Sequence, residues 1–359
     1  FNIIMSGLAG IMLSGCLDLD EKPVGTLAPE SFFTSVSDAE AAVNGSYTYL
    51  ASESVYGRRL INCLQLLGDM CDIGDTGTSA ERVQINGFTF DSSNGMIATF
   101  WPSLYRIISA ANAAIDGIPA VDMDEAYKNQ LIAEARVIRA WCYYDLVRLF
   151  GDVPYISEFV TDPTSVATIS NTPAAEIYQH IITDCKAGEE FLPNKYTTNV
   201  RSRPRKGTSP SVLASVYMTL GDWANAATYA EKVITNASAY GYSLLPDFQD
   251  LWNADNAEHA EQIWAVDFRG GTSASDGVNV DYMVPMTGVR NANMSGWSVV
   301  VPSPGVYDSF DDRDYRKKVS FLTETTVGGV MTPYTAWTWP RIHMAKWCLS
   351  RGANCVSSD

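Results

Sequence analysis

From residue 97 onward the apolar positions fall at helical spacing. Within 97–118 they recur at 97, 100, 101, 104, 107, 108, 111 and 115, a single helical stripe that Gly117 and Pro119 stop. The run 124–150 is apolar on two faces. Leu131, Ala135, Ile138, Cys142, Leu146 and Leu149 follow one another at steps of three or four, and Trp141, Tyr144 and Val147 make a second face. A helix apolar on two sides packs between neighbours. Gly151 and Pro154 end it. A third helix is expected to open at Thr172-Pro173, a Thr N-cap with Pro at the first helical position, and to run to about Phe191, with Pro193 just beyond. Nearer the start, Ser37-Asp-Ala-Glu40 spells a capping box that opens a helix.

Residues 209–234 carry a denser signal. Ala214, Tyr217, Leu220-Gly221, Trp223, Ala226, Tyr229 and Ala230 sit at the offsets of a tetratricopeptide repeat, two antiparallel helices turned by Gly221 with Trp223 filling the seam. The alternative is an ordinary helical hairpin. One such repeat cannot bury its own faces, so the helices at 97–118 and 124–150 are expected to form another pair beside it. Residues 54–98 lack long periodicity and read as loops with short strands. Beyond residue 240, Gly, Asn, Ser and Thr rise, and short β-favouring runs appear at Gln262–Phe268 and Trp297–Val301. The expected fold class is mostly α: tetratricopeptide-like helical repeats, mainly 97–240, with an irregular, loop-rich half containing short strands.

The first residues read differently. Phe1–Gly15 is uncharged and mostly apolar or small, and too short to span a bilayer as a helix. It fits the apolar region of a secretory signal, with the basic region expected before Phe1. Leu13-Ser14-Gly15-Cys16 resembles a bacterial lipobox, in which the Cys16 thiol receives a diacylglyceryl group and residues 1–15 are removed. Each buried acyl CH₂ contributes about 0.8 kcal/mol, so two or three chains anchor firmly. An ordinary signal peptide ending near a cysteine is the alternative. Asp18, Asp20 and Glu21 resemble the acidic run that directs lipoproteins of Bacteroidetes-type bacteria to the outer face of the outer membrane, and 16–36 reads as a lipidated linker. A solvated acidic linker would look the same.

Composition narrows the chemistry. Forty-one acidic against 25 basic residues give the 359-residue chain a formal net charge of −16, which argues against a nucleic-acid partner. No later apolar run reaches membrane-spanning length. The three histidines, His180, His259 and His343, are far apart and no CxxC occurs, which argues against a zinc site. Cys142 and Cys185 lie in helical patterns and read as buried apolar residues. Cys63 with Cys71, and Cys348 with Cys355, are close enough in sequence to pair in an oxidising compartment. GxSxG, Walker-type, HExxH and GxGxxG motifs are missing, so no enzyme is expected. Two placed carboxylates would suffice for a glycosidase, but nothing beyond their abundance supports one.

The string Ala133-Glu-Ala-Arg-Val-Ile-Arg-Ala140, followed by Tyr143-Tyr-Asp-Leu-Val and Phe150-Gly-Asp-Val-Pro154, resembles the SusD/RagB family of nutrient-capturing surface lipoproteins. Phe100-Trp101 with Tyr105, Ile108 and Asn112, then Pro246-Asp247-Phe248, Leu251-Trp252, Glu261-Gln-Ile-Trp264, Gly296-Trp297 and Phe310–Arg316 agree in order, so that 37–359 resembles one SusD-like domain. The resemblance implies four tetratricopeptide-type helix pairs and an irregular ligand-facing half. It also implies binding of oligosaccharide and its delivery to a SusC-like TonB-dependent outer-membrane transporter, from a lipid-anchored position facing outward. A peptide- or protein-binding member of the same family is the alternative, since helical repeats expose concave surfaces. Members of the family usually continue into a helix-rich C-terminal stretch. The resemblance therefore implies a piece that stops early at Asp359.

Sugar rings stack their C–H faces on aromatic rings, and amides and carboxylates pair with hydroxyls. The candidates are loop residues of those types: Tyr56, Arg58, Asp69, Asp72, Tyr282, Asn291, Asn293 and Trp297. Trp297 leads, because it follows a polar loop beside two asparagines and lies where the family often places a ligand-facing aromatic. A place at the rim of the core is its alternative, and for Asp69 and Asp72 the alternative is a turn-forming role. Trp101, Trp141, Trp223 and Trp264 are assigned to the core. Asp69, Asp72 and Asp75 together could offer oxygens to calcium, though their spacing matches no known calcium loop. No other cofactor is implied.

Overall fold

The computed structural model describes residues 32–198, 200–253, 256, 258–268, 281–292 and 296–345. The first helices follow in chain order as α1 (Val36–Leu50), α2 (Arg59–Leu66), then strand β1 (Cys71–Ile73) and α3 (Ala80–Asn86). The long helices α4 (Gly95–Gly117), α5 (Glu125–Phe150) and α6 (Ala174–Phe191) come next, followed by the hairpin α7 (Thr208–Thr219) and α8 (Trp223–Thr235) and the short α9 (Ala237–Tyr240). The last part is made of short pieces: α10 (Met283–Thr287), β2 (Val300–Pro302), α11 (Pro304–Ser309), α12 (Tyr315–Ser320), β3 (Phe321–Leu322), β4 (Glu324–Val327), β5 (Val330–Pro333) and β6 (His343–Met344).

The helical body is a stack in which α1 packs on α4, α4 on α5, α5 on α6, α6 on α7 and α7 on α8. The apolar stripes explain the order. Phe100, Leu104, Ile107 and Ile108 of α4 meet Ile138, Cys142 and Leu146 of α5, and Ile177, Ile181 and Cys185 of α6 close the other side. Buried on both faces, α5 sits in the middle, as its two apolar sides require. Gly221 makes the α7–α8 turn at φ +73°, a backbone region that costs an L side chain about 1–2 kcal/mol.

Several local expectations shift. The cap of α1 is Ser35 rather than Ser37. Ser35 Oγ accepts from the Asp38 amide (3.3 Å), and Asp38 Oδ2 accepts from the Ser35 amide (2.8 Å). Glu40 is occupied elsewhere, accepting from the Tyr127 hydroxyl at 2.6 Å. Helix α6 begins at Ala174, whose amide donates to Asp152 Oδ1 (2.8 Å), so the cap comes from the Gly151-Asp152 turn and not from Thr172. Residues 54–98 contain α2 and α3 as well as β1, because their apolar stripes are too short to show a period. Gln262–Phe268 forms no strand, whereas Val300 and Val301 enter β2. Trp223 is 68% exposed at the first position of α8, not a seam residue, while Trp101, Trp141 and Trp264 pack against the core. Cys63 and Cys71 are both free thiols: Cys63 faces the core from α2, and the Cys71 thiol donates to Gln65 Oε1 (2.9 Å). Cys142 and Cys185 are buried, and Cys348 and Cys355 lie outside the described residues.

The signature string of α5 is structural. Arg139 forks onto Asp184 of α6 at 2.8 and 2.9 Å and donates to Asn112 of α4 (2.8 Å) and the Ser157 carbonyl (2.9 Å). Glu134, fully buried, accepts from Tyr47 (2.8 Å), Arg203 (2.7 Å) and Tyr196 (3.1 Å). These bonds lock five segments onto one helix: α1, α4, α6, the loop at Ser157 and the segment from Tyr196 to Arg203.

Candidate functional site

Strand β1 pairs antiparallel with β2, Asp72 opposite Val301, and so joins the segment after α2 to the segment that carries Trp297. The ladder runs on beyond the strands. The Gly74 amide donates to the Val299 carbonyl (3.0 Å) and the Asp75 amide to the Ser298 carbonyl (2.7 Å). Gly296 lies so close to Gly288 that a Cβ there would fall 2.0 Å from a backbone carbon, so only glycine lets the loop fold back before Trp297. The Trp297 amide then donates to the Pro285 carbonyl (2.6 Å).

Three of the sequence candidates come together. The half-buried rings of Tyr282 and Trp297 lie 5.9 Å apart, tilted by 32°, an offset pairing that aromatic quadrupoles favour. The Arg58 guanidinium lies 4.8 Å from the centre of the Tyr282 ring, a cation–π contact. Behind it, Glu53 pairs with Arg58, and Arg59 Nε approaches the same carboxylate at 3.8 Å. The Tyr282 amide donates to the Gly57 carbonyl (2.9 Å), which fixes the two loops against each other.

The other candidates go elsewhere. The Tyr56 hydroxyl bonds to the buried Asp145 of α5, so it anchors its loop to the body. Burial drives the Asp145 carboxyl upward in pKa and the Tyr56 phenol well above its usual range. Asp72 accepts from Asn86 (2.8 Å) and Arg341 (3.1 Å). Burial raises its carboxyl, but those bonds outweigh it and leave the group below the ordinary range. Asp69 is solvent-exposed in the turn after α2. Asn291 is exposed at φ +64° and reaches Thr338 Oγ1 (3.2 Å). Asn293 and Cys16 lie outside the described residues. Among the described residues no group of three acidic, His or Cys side chains is placed to hold a metal, and Asp75 pairs with Arg290 at 2.6 Å, so the aspartates are not gathered round a calcium site.

Two features escaped the sequence reading. Arg290 bridges Gly296 and its amide bonds Ser298 Oγ, beside Trp297, and an arginine inside a Gly/Asn-rich loop of an acidic chain was the available signal. A hollow of about 480 Å³ lies between Phe90, Ile97, Trp101 and Phe150, with Asp91 and Ser92 at its edge. Next to it in sequence Phe88 is 65% exposed at φ +53°, an unusual posture for a large apolar residue.

His343 supports the Trp297 loop from beneath. Its Nδ1 lies 2.7 Å from the Arg341 carbonyl and its Nε2 2.8 Å from Ser298 Oγ. The carbonyl can only accept, so Nδ1 carries the proton and Ser298 donates to Nε2. Burial lowers the imidazole pKa to about 4.

A family model described as "SusD-like_3: Starch-binding associating with outer membrane" matches residues 19–218. "SusD-like protein P2" of Formosa agariphila is 45% identical over 331 residues, covering 90% of this chain and 65% of the relative. Among solved structures, a "Laminarin binding SusD-like protein" aligns with TM-score 0.76 at 22% identity, over 88% of this chain and 72% of that one. A SusD homolog from Bacteroides thetaiotaomicron aligns with TM-score 0.79 at 20% identity, over 92% and 69%. The chain spans about half to two thirds of the length of the curated relatives P2 and P25 of F. agariphila.

Proposed function

The chain belongs to the SusD-like family, and on that premise we propose that it captures an oligosaccharide without cleaving it, for delivery to a SusC-like TonB-dependent transporter. In this reading Cys16 carries the lipid that tethers it to the outer membrane, outward-facing, and the intact mass of protein from its host reads that lipid directly. The observation that carries the proposal is the Tyr282–Trp297 pair, set on loops, braced by Arg58 and edged by polar groups. Half-buried rings of this kind give a sugar an apolar platform, and one well-placed aromatic contributes about 0.5–1.5 kcal/mol. A single site of that sort binds weakly, and local concentration at a membrane compensates. The names of a laminarin-binding structural neighbour and of a starch-binding family description support the ligand class.

The test is calorimetry of the full-length protein against a glycan panel. Trp297→Ala should weaken binding of whichever glycan is bound by about tenfold, near 1.4 kcal/mol, with the fold intact by circular dichroism. Product accumulating over hours would make the protein an enzyme. Binding to peptides and to no glycan would move it to the peptide-capturing branch of the family.

A further inference from the structure

In a chain of formal net charge −16, four arginines lie on the segments joined to the aromatic pair: Arg290 bridges Gly296, the residue before Trp297, and Arg82 is within electrostatic reach of Arg58 and Arg59. Arg58 lies over Tyr282, and Arg59 shares Glu53 with it. Arg290 is held by Asp75 at 2.6 Å, and the Asp75 amide bonds the carbonyl of Ser298, the residue after Trp297. Arg82 donates to Thr78 Oγ1 (2.8 Å), and the Thr78 amide returns to the Asp75 carbonyl (3.1 Å). Glu53 and Asp75 are the carboxylates paired with these groups, and Glu81 lies close enough to Arg82 to soften its field. Arg82 itself has no carboxylate partner among the described residues.

The donors are not all used. The Nε atoms of Arg82 and Arg290 are buried and have no hydrogen-bond partner. Those inward-facing atoms are closed to solvent, so an incoming anion would meet the terminal nitrogens of the guanidinium forks instead. Burial, and after it the charges of Arg58 and Arg59, push the Arg82 guanidinium below its usual pKa, which marks local crowding of positive charge. The Arg290 side chain is 42% exposed, so part of its fork already faces solvent.

We propose that the site selects anionic oligosaccharides, with a uronate carboxylate or a sulfate ester accepting from Arg290 and Arg82 while a sugar ring stacks on Trp297. This rests on the glycan-capture reading and names its ligand class. Both anions present paired oxygens that match the planar guanidinium fork, a geometry an ammonium cannot reproduce. The acidic remainder of the molecule repels such polymers, so the arginine cluster gives orientation as well as affinity.

The test compares three polymers on the full-length protein: neutral galactan, polygalacturonate and a sulfated galactan. The expected result is binding to at least one acidic polymer, tenfold or more tighter than to the neutral one, and weakening as salt rises from about 0.05 to 0.5 M. Whichever acidic polymer binds tells carboxylate from sulfate. Arg290→Gln should weaken that binding at least tenfold and Arg290→Lys should restore only part. Arg82→Gln should act in the same direction, and if it does not fold, Arg290 alone decides. Tight binding to neutral glycan that ignores both salt and Arg290→Gln would overturn the anionic selectivity and leave glycan capture standing. Binding to no glycan would overturn both.

Discussion

At the scale of single residues, His343 ties pH to the candidate site. The folded ring titrates near 4, whereas an unfolded histidine titrates near its ordinary 6.5. Between those values the unfolded chain binds the extra proton, so stability is full above pH 6.5 and declines as pH falls toward 4. Protonating Nε2 would also remove the acceptor for Ser298 and loosen the turn that carries Trp297. His343→Gln should therefore show a smaller drop in Tm between pH 7 and 4.5 than the parent, although it starts lower. An identical drop would assign the pH dependence to other groups. Residue type and loop context named Trp297, Tyr282 and Arg58, which the fold brings together. They could not show that Tyr56 turns inward to Asp145 or that Asp72 is claimed by Arg341, because those partners lie 89 and 269 residues away in sequence. Arg290 was passed over for the same reason: its partner Asp75 is 215 residues away.

At the scale of elements, α4 to α8 were legible because their stripes are long and their stops are glycine and proline. Helix ends were less so. The α6 cap comes from Asp152, 22 residues before the amide it serves, and no local pattern encodes that. Trp223 fits the repeat pattern yet stays exposed, with Met218, Leu220 and Ile234 also exposed on the α7–α8 hairpin. Repeat helices are apolar on the side that faces the next unit, so periodicity alone does not say whether a seam is closed. The string 133–140, which carried the family resemblance, is structural in the folded chain. Arg139 and Asp184 are both nearly buried, and the pair binds α5 to α6 and, through Asn112, to α4. Asp184→Ala should cost about 3–5 kcal/mol, since it strands a buried guanidinium. The double variant Arg139→Met with Asp184→Leu should recover most of that loss in urea unfolding. If the double variant is as unstable as the single one, the hydrogen bonds to Asn112 and Ser157 matter more than the charge pair.

At the scale of the molecule, the question is whether the loop-rich half is an appendage or part of one cooperative body. Met286 of α10 and Val299 and Val300 of the Trp297 segment belong to the same buried cluster as Phe100, Ile138 and Leu146 of the long helices. Tyr282 and Tyr56 extend that continuity at the edge, one reaching the Gly57 carbonyl and the other Asp145. If the Tyr282–Trp297 pair is the proposed platform, a shared core would keep its geometry without a ligand and lower the ordering cost of binding. Continuity of the core makes a specific prediction. Met286→Ala removes a fully buried side chain from the loop half and should cost about 2–5 kcal/mol. If the two halves fold as one unit, helical circular dichroism and tryptophan fluorescence will shift to the same lower denaturant midpoint, with no separation between probes. A fluorescence transition that moves while the helical signal stays in place would show that the Trp297 face melts on its own. The aromatic pair would then be assembled by the ligand rather than waiting for it.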